Sequence, residues 1–294
     1  MKIISLILLF PLICVILFGC SGNKNEIVVG TKDYTEQYIL GNILAIYIEE
    51  NTDINVTLKI DLASDVIFAA VRTEVVDLYV DYTGTIYGNY LVRSETRSPE
   101  EVFDFAKRTL QNNYDLDMLT PLGFNNSYNL AVSRSTAEEY NLKTISDLAE
   151  VSENFIIGGS AELLTRNDGL PNLKILYNLG FKAEHAIDGI DRYIAVNENV
   201  IQVSEVFTTD GHLFLQDIII LEDDKNYFLP YQGAIIIRNE LSEKFPELPV
   251  LLNKLSGMLT DDVMRGLNYR VDVHNESPKD VAMYFLTRNN LIPG

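Results

Sequence analysis

The sequence predicts an α/β protein with parallel strands, and three observations lead to this class. Short apolar runs alternate with segments of helical periodicity, an order that favours parallel strands joined by helices packed on the faces of the sheet. The 294 residues suggest one large domain or two medium ones. There is no long linker, so a chain with two domains would have to cross over and return.

The first β-α-β-α-β set begins with the apolar run at residues 27–30, which ends in glycine as buried strands often do. Asp33 and Glu36 have the spacing of a capping box for the helix that follows. Further patterns predict a strand, a helix and a strand, at residues 55–60, 66–71 and 76–80. Ligands of such sheets sit at the carboxyl ends of strands, here the loops at residues 31–33 and 81–85.

A second set of elements is predicted after residue 128. Its strands are placed at residues 129–133, 155–160, 200–207, 217–221 and 234–237. Helical patterns occur at residues 145–148, 173–179 and 251–267. Thr144 or Ser146 would cap the first of these helices.

The N-terminus has the features of an export signal. Lys2 precedes an apolar run at residues 6–18, which is shorter than the roughly 20 residues that span a bilayer. Cys20 follows a small residue at the expected cleavage point and resembles the cysteine of a lipoprotein signal, which carries lipid on its sulfur. The alternative is an ordinary secretory signal that ends in cysteine. We expect a signal peptide at residues 1–19 and a polar tether at 20–26, with the lipid on Cys20 as a membrane anchor.

Charge and side-chain chemistry exclude several classes of function. The chain has 42 acidic and 23 basic residues and a net charge of −19, so it lacks the positive surface that nucleic-acid binding needs. The three histidines have no histidine or cysteine partner at metal-ligand spacing. No nucleophile elbow or phosphate loop is present. We expect no nucleic-acid partner, no metal, no cofactor and no enzymatic activity.

Several short strings resemble the substrate-binding component of osmoprotectant ABC importers, the family that captures glycine betaine, choline, carnitine and related quaternary amines. They occur in the order of that family and run from Gly30 to Asp272. They are GTKDYTEQ from Gly30, DLYVDYTGT from Asp77, FNNSY from Phe124, RNDGL from Arg166, FTTDG from Phe207, LEDDK from Leu221, PY at Pro230 and LNYRVD from Leu267.

This resemblance implies a type II periplasmic-binding-protein-like clamshell, in which two strands cross between two lobes. We place the crossings near residues 129–133 and 234–238. The predicted lobe one is then 27–128 plus 235–294, and lobe two is 129–234. The resemblance also implies delivery to an ABC permease and its ATPase, from the extracytoplasmic face of the cell membrane.

The expected ligand explains the aromatic residues of the motifs. A trimethylammonium group has no N–H to donate, but its charge suits the faces of aromatic rings, at about 0.5–2 kcal/mol for each contact. The sequence has no Trp, so the cage must be built from Tyr and Phe. By motif match, the resemblance points to Tyr82, Tyr128, Phe207 and Tyr231. Relatives often have Tyr where Phe207 stands, which removes one hydroxyl from the cage wall.

The other end of the ligand decides specificity, because a carboxylate needs donors. Lys32, Thr85 and Asn126 occupy positions that match the pocket of the family. An acidic residue at position 85 would favour choline, whereas Thr85 leaves both choline and betaines open. We therefore expect a zwitterion such as glycine betaine, carnitine or proline betaine, with choline as a further ligand.

Two other functions stay open. The first is a receptor of the same fold for another small solute, such as an amino acid, which would need an arginine clamp and an aspartate. Arg166 with Asp168 is the one such pair, and we interpret it as structural. A surface adhesion or scaffold lipoprotein would show repeats or large exposed apolar patches.

Overall fold

The computed structural model describes residues 25–93, 98–165, 169–187 and 189–293, except for the side chain of Glu162. The predicted signal peptide and Cys20 lie outside the described residues. So do Arg166 and Asp168.

The first part of the chain builds most of one sheet. Its elements are β1 (Glu26–Gly30), α1 (Thr35–Asn51), β2 (Asn55–Lys59), α2 (Ser64–Arg72), β3 (Leu78–Tyr82), a π-helical segment (Thr85–Tyr90), α3 (Pro99–Tyr114) and β4 (Leu116–Met118). Ser98 and Glu101 form the capping box of α3, and Pro99 fits its first turn because proline needs no donor there.

The middle of the chain builds a second sheet. Its elements are β5 (Tyr128–Ser133), α4 (Arg134–Tyr140), α5 (Ile145–Ala149), a 3₁₀ turn (Ser152–Asn154), β6 (Ile156–Gly159), α6 (Ala161–Thr165), α7 (Leu170–Tyr177), β7 (Ala183–Ala186), α8 (Asp191–Asn197), β8 (Val203–Phe207), a 3₁₀ turn (Gly211–Leu215) and β9 (Ile218–Ile220). The predicted Thr144 cap is confirmed, since its hydroxyl accepts from the backbone N–H of Asp147.

The chain then returns to the first sheet. The last elements are β10 (Gly233–Arg238), α9 (Asn239–Lys244), α10 (Glu247–Leu252), a 3₁₀ turn (Asn253–Leu255), α11 (Asp261–Asp272) and α12 (Pro278–Arg288). The helix predicted at residues 251–267 is wrong as one element, because the chain breaks between α10 and α11 around Gly257, where φ is +72°. Such a backbone angle suits glycine and ends a helix.

The two sheets have the same plan. The strand orders are β2-β1-β3-β10-β4 and β7-β6-β8-β5-β9. In each sheet three strands are parallel, and an antiparallel strand lies beside the third: β10 pairs with β3 in the first sheet and β5 with β8 in the second. β5 is the first strand after the chain leaves the first sheet, and β10 is the first strand after it leaves the second sheet. In both sheets this strand lies next to the third parallel strand.

Each crossing segment lies just before the strand at which the crossing was predicted. The segments at 119–127 and 221–232 connect the sheets, and they run antiparallel to each other, with a bridge between Asn125 and Gln232. The backbone N–H of Asn126 donates to the carbonyl of Tyr231 at 3.0 Å. The lobe boundaries at residues 128/129 and 234/235 stay predictions; the structure has Tyr128 at the start of β5 and Ala234 inside β10.

Apolar side chains cover both faces of the first sheet. One core contains side chains of α1, α10, α11 and α12, and another contains side chains of α2 and α3. The larger core of the second sheet contains Leu130, Ile157, Leu173 and Val203. Within the ranges described, no helix combines the length and apolarity needed to cross a bilayer.

Candidate ligand-binding site

Three of the four predicted cage residues form one aromatic cluster at the crossing. Tyr128 at the start of β5 and Phe207 at the end of β8 are register partners, with ring centroids 4.7 Å apart. Tyr231 in the second crossing segment meets the Tyr128 ring edge-on, with centroids 6.4 Å apart. All three side chains are half-buried. The strand ends and the crossing segment thus bring distant parts of the sequence to one place.

Phe228 is a fourth member of this cluster that the sequence reasoning missed. Its ring stacks on Tyr128, with centroids 6.4 Å apart and an interplanar angle of 25°. It lies in the same crossing segment as Tyr231, three residues earlier. Aromatic residues close in sequence to a predicted cage residue are the signal that would have found it.

Arg192 of α8 supports Phe207. Its guanidinium carbon lies 5.5 Å from the Phe207 ring centroid, and its Nε donates to the carbonyl of Glu205 at 3.0 Å. Its side chain is buried. Arg192 therefore covers part of the Phe207 ring from the protein interior. The rest of the ring remains available for other contacts.

Tyr82, the remaining predicted cage residue, lies in a more enclosed setting. It ends β3 and only 4% of its surface is exposed. Its ring packs edge-to-face against Phe124, with centroids 6.3 Å apart. Its hydroxyl donates to Glu36 Oε1 at 2.7 Å and accepts from Gln37 Nε2 at 3.1 Å. Burial raises the pKa of the Tyr82 hydroxyl well above its usual value, and the nearby Glu36 charge adds to this, so Tyr82 is a neutral donor.

The carboxylate of Glu36 is the centre of a buried hydrogen-bond network, which the sequence reasoning did not foresee. The predicted capping box is wrong: Tyr34 is the N-cap of α1 and makes no side-chain cap bond. Glu36 instead points inward with 3% of its surface exposed. Its four donors are Tyr82 Oη at 2.7 Å and Asn126 Nδ2 at 3.0 Å on Oε1, and Thr209 Oγ1 at 2.7 Å and Asn268 Nδ2 at 2.9 Å on Oε2.

These four donors come from four separate parts of the chain: β3, the first crossing segment, the turn after β8, and α11. Burial raises the pKa of the Glu36 carboxyl, and the four hydrogen bonds oppose that shift. One feature of the sequence pointed to Glu36: it lies within the GTKDYTEQ motif, which begins at Gly30, the last residue of β1.

Lys32 forms a buried ion pair instead of standing free. Its Nζ lies 2.5 Å from Asp81 Oδ1, and the two side chains are 2% and 0% exposed. Nζ also lies 5.1 Å from the centroid of the Tyr82 ring. The pair has no net charge, so Lys32 offers directed N–H groups more than a long-range positive field.

The other two predicted donors flank the same region. Thr85 opens the π-helical segment and is 7% exposed. Asn126 is half-buried, and its Nδ2 is already used by Glu36. Its Oδ1 is buried, and among the described residues it has no hydrogen-bond partner. Beyond its bond to Glu36, Asn126 therefore keeps the second N–H of its Nδ2 as a donor and its Oδ1 as an acceptor.

No group of three or more potential metal ligands occurs in the part of the chain that the structure describes. The site is instead a set of aromatic rings beside a hydrogen-bonded polar network. Such an arrangement can hold a cation through ring faces and orient the groups attached to it.

Comparisons with known proteins show the family of this chain. Residues 25–288 match the family model described as the substrate binding domain of ABC-type glycine betaine transport system. The chain is 37% identical over 269 residues to the ergothioneine transport permease/ergothioneine binding protein of Helicobacter pylori strain G27, which covers 91% of this chain and 48% of that protein. It therefore spans about half the length of that relative.

Two further relatives match over nearly their whole length. The carnitine transport binding protein of Listeria monocytogenes is 30% identical over 280 residues, covering 94% of this chain and 91% of that protein. A crystal structure described as a glycine betaine/carnitine/choline ABC transporter superposes with a TM-score of 0.86 at 29% identity, covering 90% of this chain and 99% of that one. The predicted two-lobed, periplasmic-binding-protein-like α/β fold is confirmed. The chain belongs to the family of substrate-binding domains of ABC-type glycine betaine transport systems.

Proposed function

We propose that this protein captures a trimethylammonium zwitterion in the cluster of Tyr128, Phe207 and Tyr231 and delivers it to an ABC permease. The observation that carries the proposal is the position of this cluster, where a crossing segment meets the ends of β5 and β8. Movement of one lobe relative to the other would open and close such a site. The lobes of this proposal are residues 27–128 plus 235–294 and residues 129–234.

Ring faces suit a trimethylammonium group better than a primary ammonium group. The methyl groups spread the charge and cannot donate hydrogen bonds, so the group loses little when it leaves water for an aromatic site. A primary ammonium group would need acceptors in place of rings. The aromatic cluster therefore favours a betaine over an amino acid as the ligand. The relatives are named as binding proteins for carnitine and ergothioneine, which supports the same chemical class.

The carboxylate of the ligand is proposed to meet Thr85 and the N–H groups of Lys32 that Asp81 does not occupy. Tyr82 closes this side of the site next to Lys32. Asn126 acts through its bond to Glu36. These roles for Tyr82, Lys32, Thr85 and Asn126 keep the predicted site and assign the polar residues to its anionic end.

Further parts of the proposal concern the cellular setting. We infer a lipid anchor on Cys20 after removal of residues 1–19, a location at the extracytoplasmic face of the cell membrane, and an ATPase that drives the permease. The family is one of transport proteins, and we expect no catalytic activity. Metabolic labelling with a fatty acid would test the anchor, since Cys20→Ser should remove the label.

Calorimetric titration tests the ligand class. The panel is glycine betaine, carnitine, ergothioneine and choline, with glycine as the analogue that lacks methyl groups and 3,3-dimethylbutanoate as the analogue that keeps the shape but lacks the positive charge. We expect binding of at least one trimethylammonium ligand and much weaker binding of both analogues. Equal binding of glycine or of 3,3-dimethylbutanoate, which lacks the positive charge, would refute the cage.

A further inference from the structure

We propose that Glu36 is a positioning residue for this site: its buried carboxylate ties the Tyr82 ring, the first crossing segment and the turn after Phe207 into one arrangement. The inference rests on the proposed function, because it concerns the same site. It adds a residue that does not contact the ligand but determines where residues of the site lie.

The hydrogen bonds around the Glu36 carboxylate leave none of its acceptor positions open. Each oxygen accepts two hydrogen bonds, at distances between 2.7 and 3.0 Å, and 3% of the residue is exposed. A carboxylate with two donors on each oxygen is well satisfied and has little capacity left for a ligand. Its role therefore concerns the groups that donate to it.

The Glu36 carboxylate joins elements from both sheets. Tyr82 belongs to the first sheet, whereas Thr209 follows β8 of the second sheet by two residues. Asn126 belongs to the segment between the sheets. Glu36 itself is in α1 of the first part of the chain. One carboxylate thus connects both sheets and one crossing, and Phe207 stands two residues from one of its donors.

Helix α11 binds the same turn after β8. Asn268 Nδ2 donates both to Glu36 Oε2 and to the carbonyl of Thr209, at 2.9 and 2.8 Å. Arg265 donates twice to the carbonyl of Thr208, from Nε at 3.1 Å and Nη2 at 2.7 Å. The turn that follows Phe207 is therefore attached to α11 and Glu36, although its strand belongs to the second sheet.

The charge has an electronic effect as well. A phenol that donates to a carboxylate is polarised, since hydrogen-bonded groups reinforce one another in a poorly solvated site. The Tyr82 ring becomes more electron-rich, which strengthens its attraction for the Lys32 ammonium group, 5.1 Å from the ring centroid. Glu36 thus fixes the orientation of the Tyr82 side chain and also increases the electron density of its ring.

Glutamine cannot replace Glu36 in this network. Its amide nitrogen would donate where two donors already point, and on either side one of these is an asparagine Nδ2 that cannot accept. Flipping Asn268 does not relieve the clash without cost, because its Nδ2 also serves Thr209. Flipping Asn126 would turn its unpartnered Oδ1 toward the amide nitrogen, but the Tyr82 hydroxyl would still lose the oxygen to which it donates. The Glu36→Gln variant keeps the size of the side chain and loses its function as a common acceptor.

The test compares Glu36→Gln with Glu50→Gln, which changes the same charge at an exposed position of α1. Dissociation constants for glycine betaine, carnitine, ergothioneine and choline are measured by calorimetry on the purified protein, and melting temperatures are recorded beside them. We expect Glu36→Gln to weaken binding by about tenfold or more, the scale of one lost hydrogen bond to a charged group. Glu50→Gln should bind like the wild type.

A positioning role is separated from a purely structural one by conservative variants. Thr209→Val removes one donor and should weaken binding, whereas Thr209→Ser keeps the hydroxyl and should restore it. In a Tyr82→Phe background, Glu36→Gln should cost less affinity than in the wild type, because the bond between the two is already absent. Lower melting temperatures with unchanged dissociation constants would overturn the inference.

The outcomes also separate this inference from the proposed function. If the wild type binds none of the four ligands, the proposed function fails and the inference fails with it. If the wild type binds but folded Glu36→Gln binds equally well, only the inference fails. Should Glu36→Gln not fold, Thr209→Val and Tyr82→Phe decide, and wild-type affinity in both would overturn the inference.

Discussion

Tyr128 and Phe207 are direct partners across β5 and β8, and their ring centroids lie 4.7 Å apart. Because the two strands are antiparallel, the first residue of one meets the last residue of the other. The crossing segment that leads into β5 and the turn that follows β8 therefore leave the second sheet at the same corner. This corner is where Tyr231 and Phe228 join the cluster.

Removing a ring from the cluster should weaken binding of a trimethylammonium ligand. We expect Tyr128→Ala and Tyr231→Ala each to raise the dissociation constant by about tenfold, within the range of a partly desolvated cation–π contact. Tyr231→Phe keeps the π face and should stay close to the wild type. Phe214→Ala is the control, since Phe214 is 53% exposed and lies outside the cluster. Calorimetry measures each constant, and wild-type affinity in both alanine variants would exclude this cage.

Gly84 gives a second test of the position of Tyr231. A Cβ at residue 84 would lie 2.8 Å from the carbonyl oxygen of Pro230 and 2.9 Å from the Tyr231 ring. Gly84→Ala should therefore displace the ring and weaken binding several-fold. Gly266→Ala in α11 meets no atom within 4 Å, and it should leave binding unchanged and stabilise the helix by up to about 1 kcal/mol. Equal affinities of the two variants would contradict the packing of Tyr231 on Gly84.

Breaking the buried ion pair should cost stability. Lys32→Met leaves the Asp81 carboxylate buried and unpaired, and we expect the free energy of unfolding to fall by about 3–5 kcal/mol. Lys32→Met with Asp81→Asn removes both charges and should recover most of that loss. Arg134→Met is the control: it breaks an ion pair with Asp217 whose side chains are 51% and 72% exposed, so it should cost less than about 1 kcal/mol. Urea unfolding measures all three.

The ionisation of Glu36 should make stability depend on pH. Burial raises the pKa of its carboxyl in the folded protein above the ordinary value of 4.5, so the folded state binds the proton more tightly than the unfolded chain does. Its contribution is then fully present below about pH 4.5 and is lost as the pH rises through the raised pKa. The free energy of unfolding of the wild type, minus that of Glu36→Gln, should fall over this range.

The difference between the two proteins cancels the titration of other groups. Glu50→Gln, which changes the same charge at an exposed position of α1, is measured in parallel as the control. A wild type that gains stability relative to Glu36→Gln with rising pH would show that the four hydrogen bonds outweigh burial. Denaturant titrations at pH values from 4 to 8 would decide between the two.

The fold class and most strands could be predicted from the sequence, because apolar runs and alternation are local signals. The strand at residues 129–133 is an example, and the structure has β5 at Tyr128–Ser133. The helix expected at residues 251–267 could not be delimited in this way. Its apolar pattern continues across Gly257, and only the positive φ of that residue reveals the break.

The site was less accessible to sequence reasoning for a related reason. The spacing of Asp33 and Glu36 is the same whether the glutamate caps a helix in solvent or turns into the interior. What decides between them is the set of donors at Tyr82, Asn126, Thr209 and Asn268, which the chain brings together from distant positions. Motif resemblance led to Tyr128 and Tyr231, but it carried no information on which polar side chains bond to one another.

The position of β10, which belongs to the first sheet but follows the second sheet in the chain, has a consequence for how the protein folds. β3 lies early in the sequence, but its antiparallel neighbour β10 follows only after the whole second sheet. Until residue 238 is available, one edge of β3 is unpaired, and an open edge invites association with other chains. We therefore expect the first sheet to be completed last, and the nascent protein to need protection from association until its C-terminal part is available.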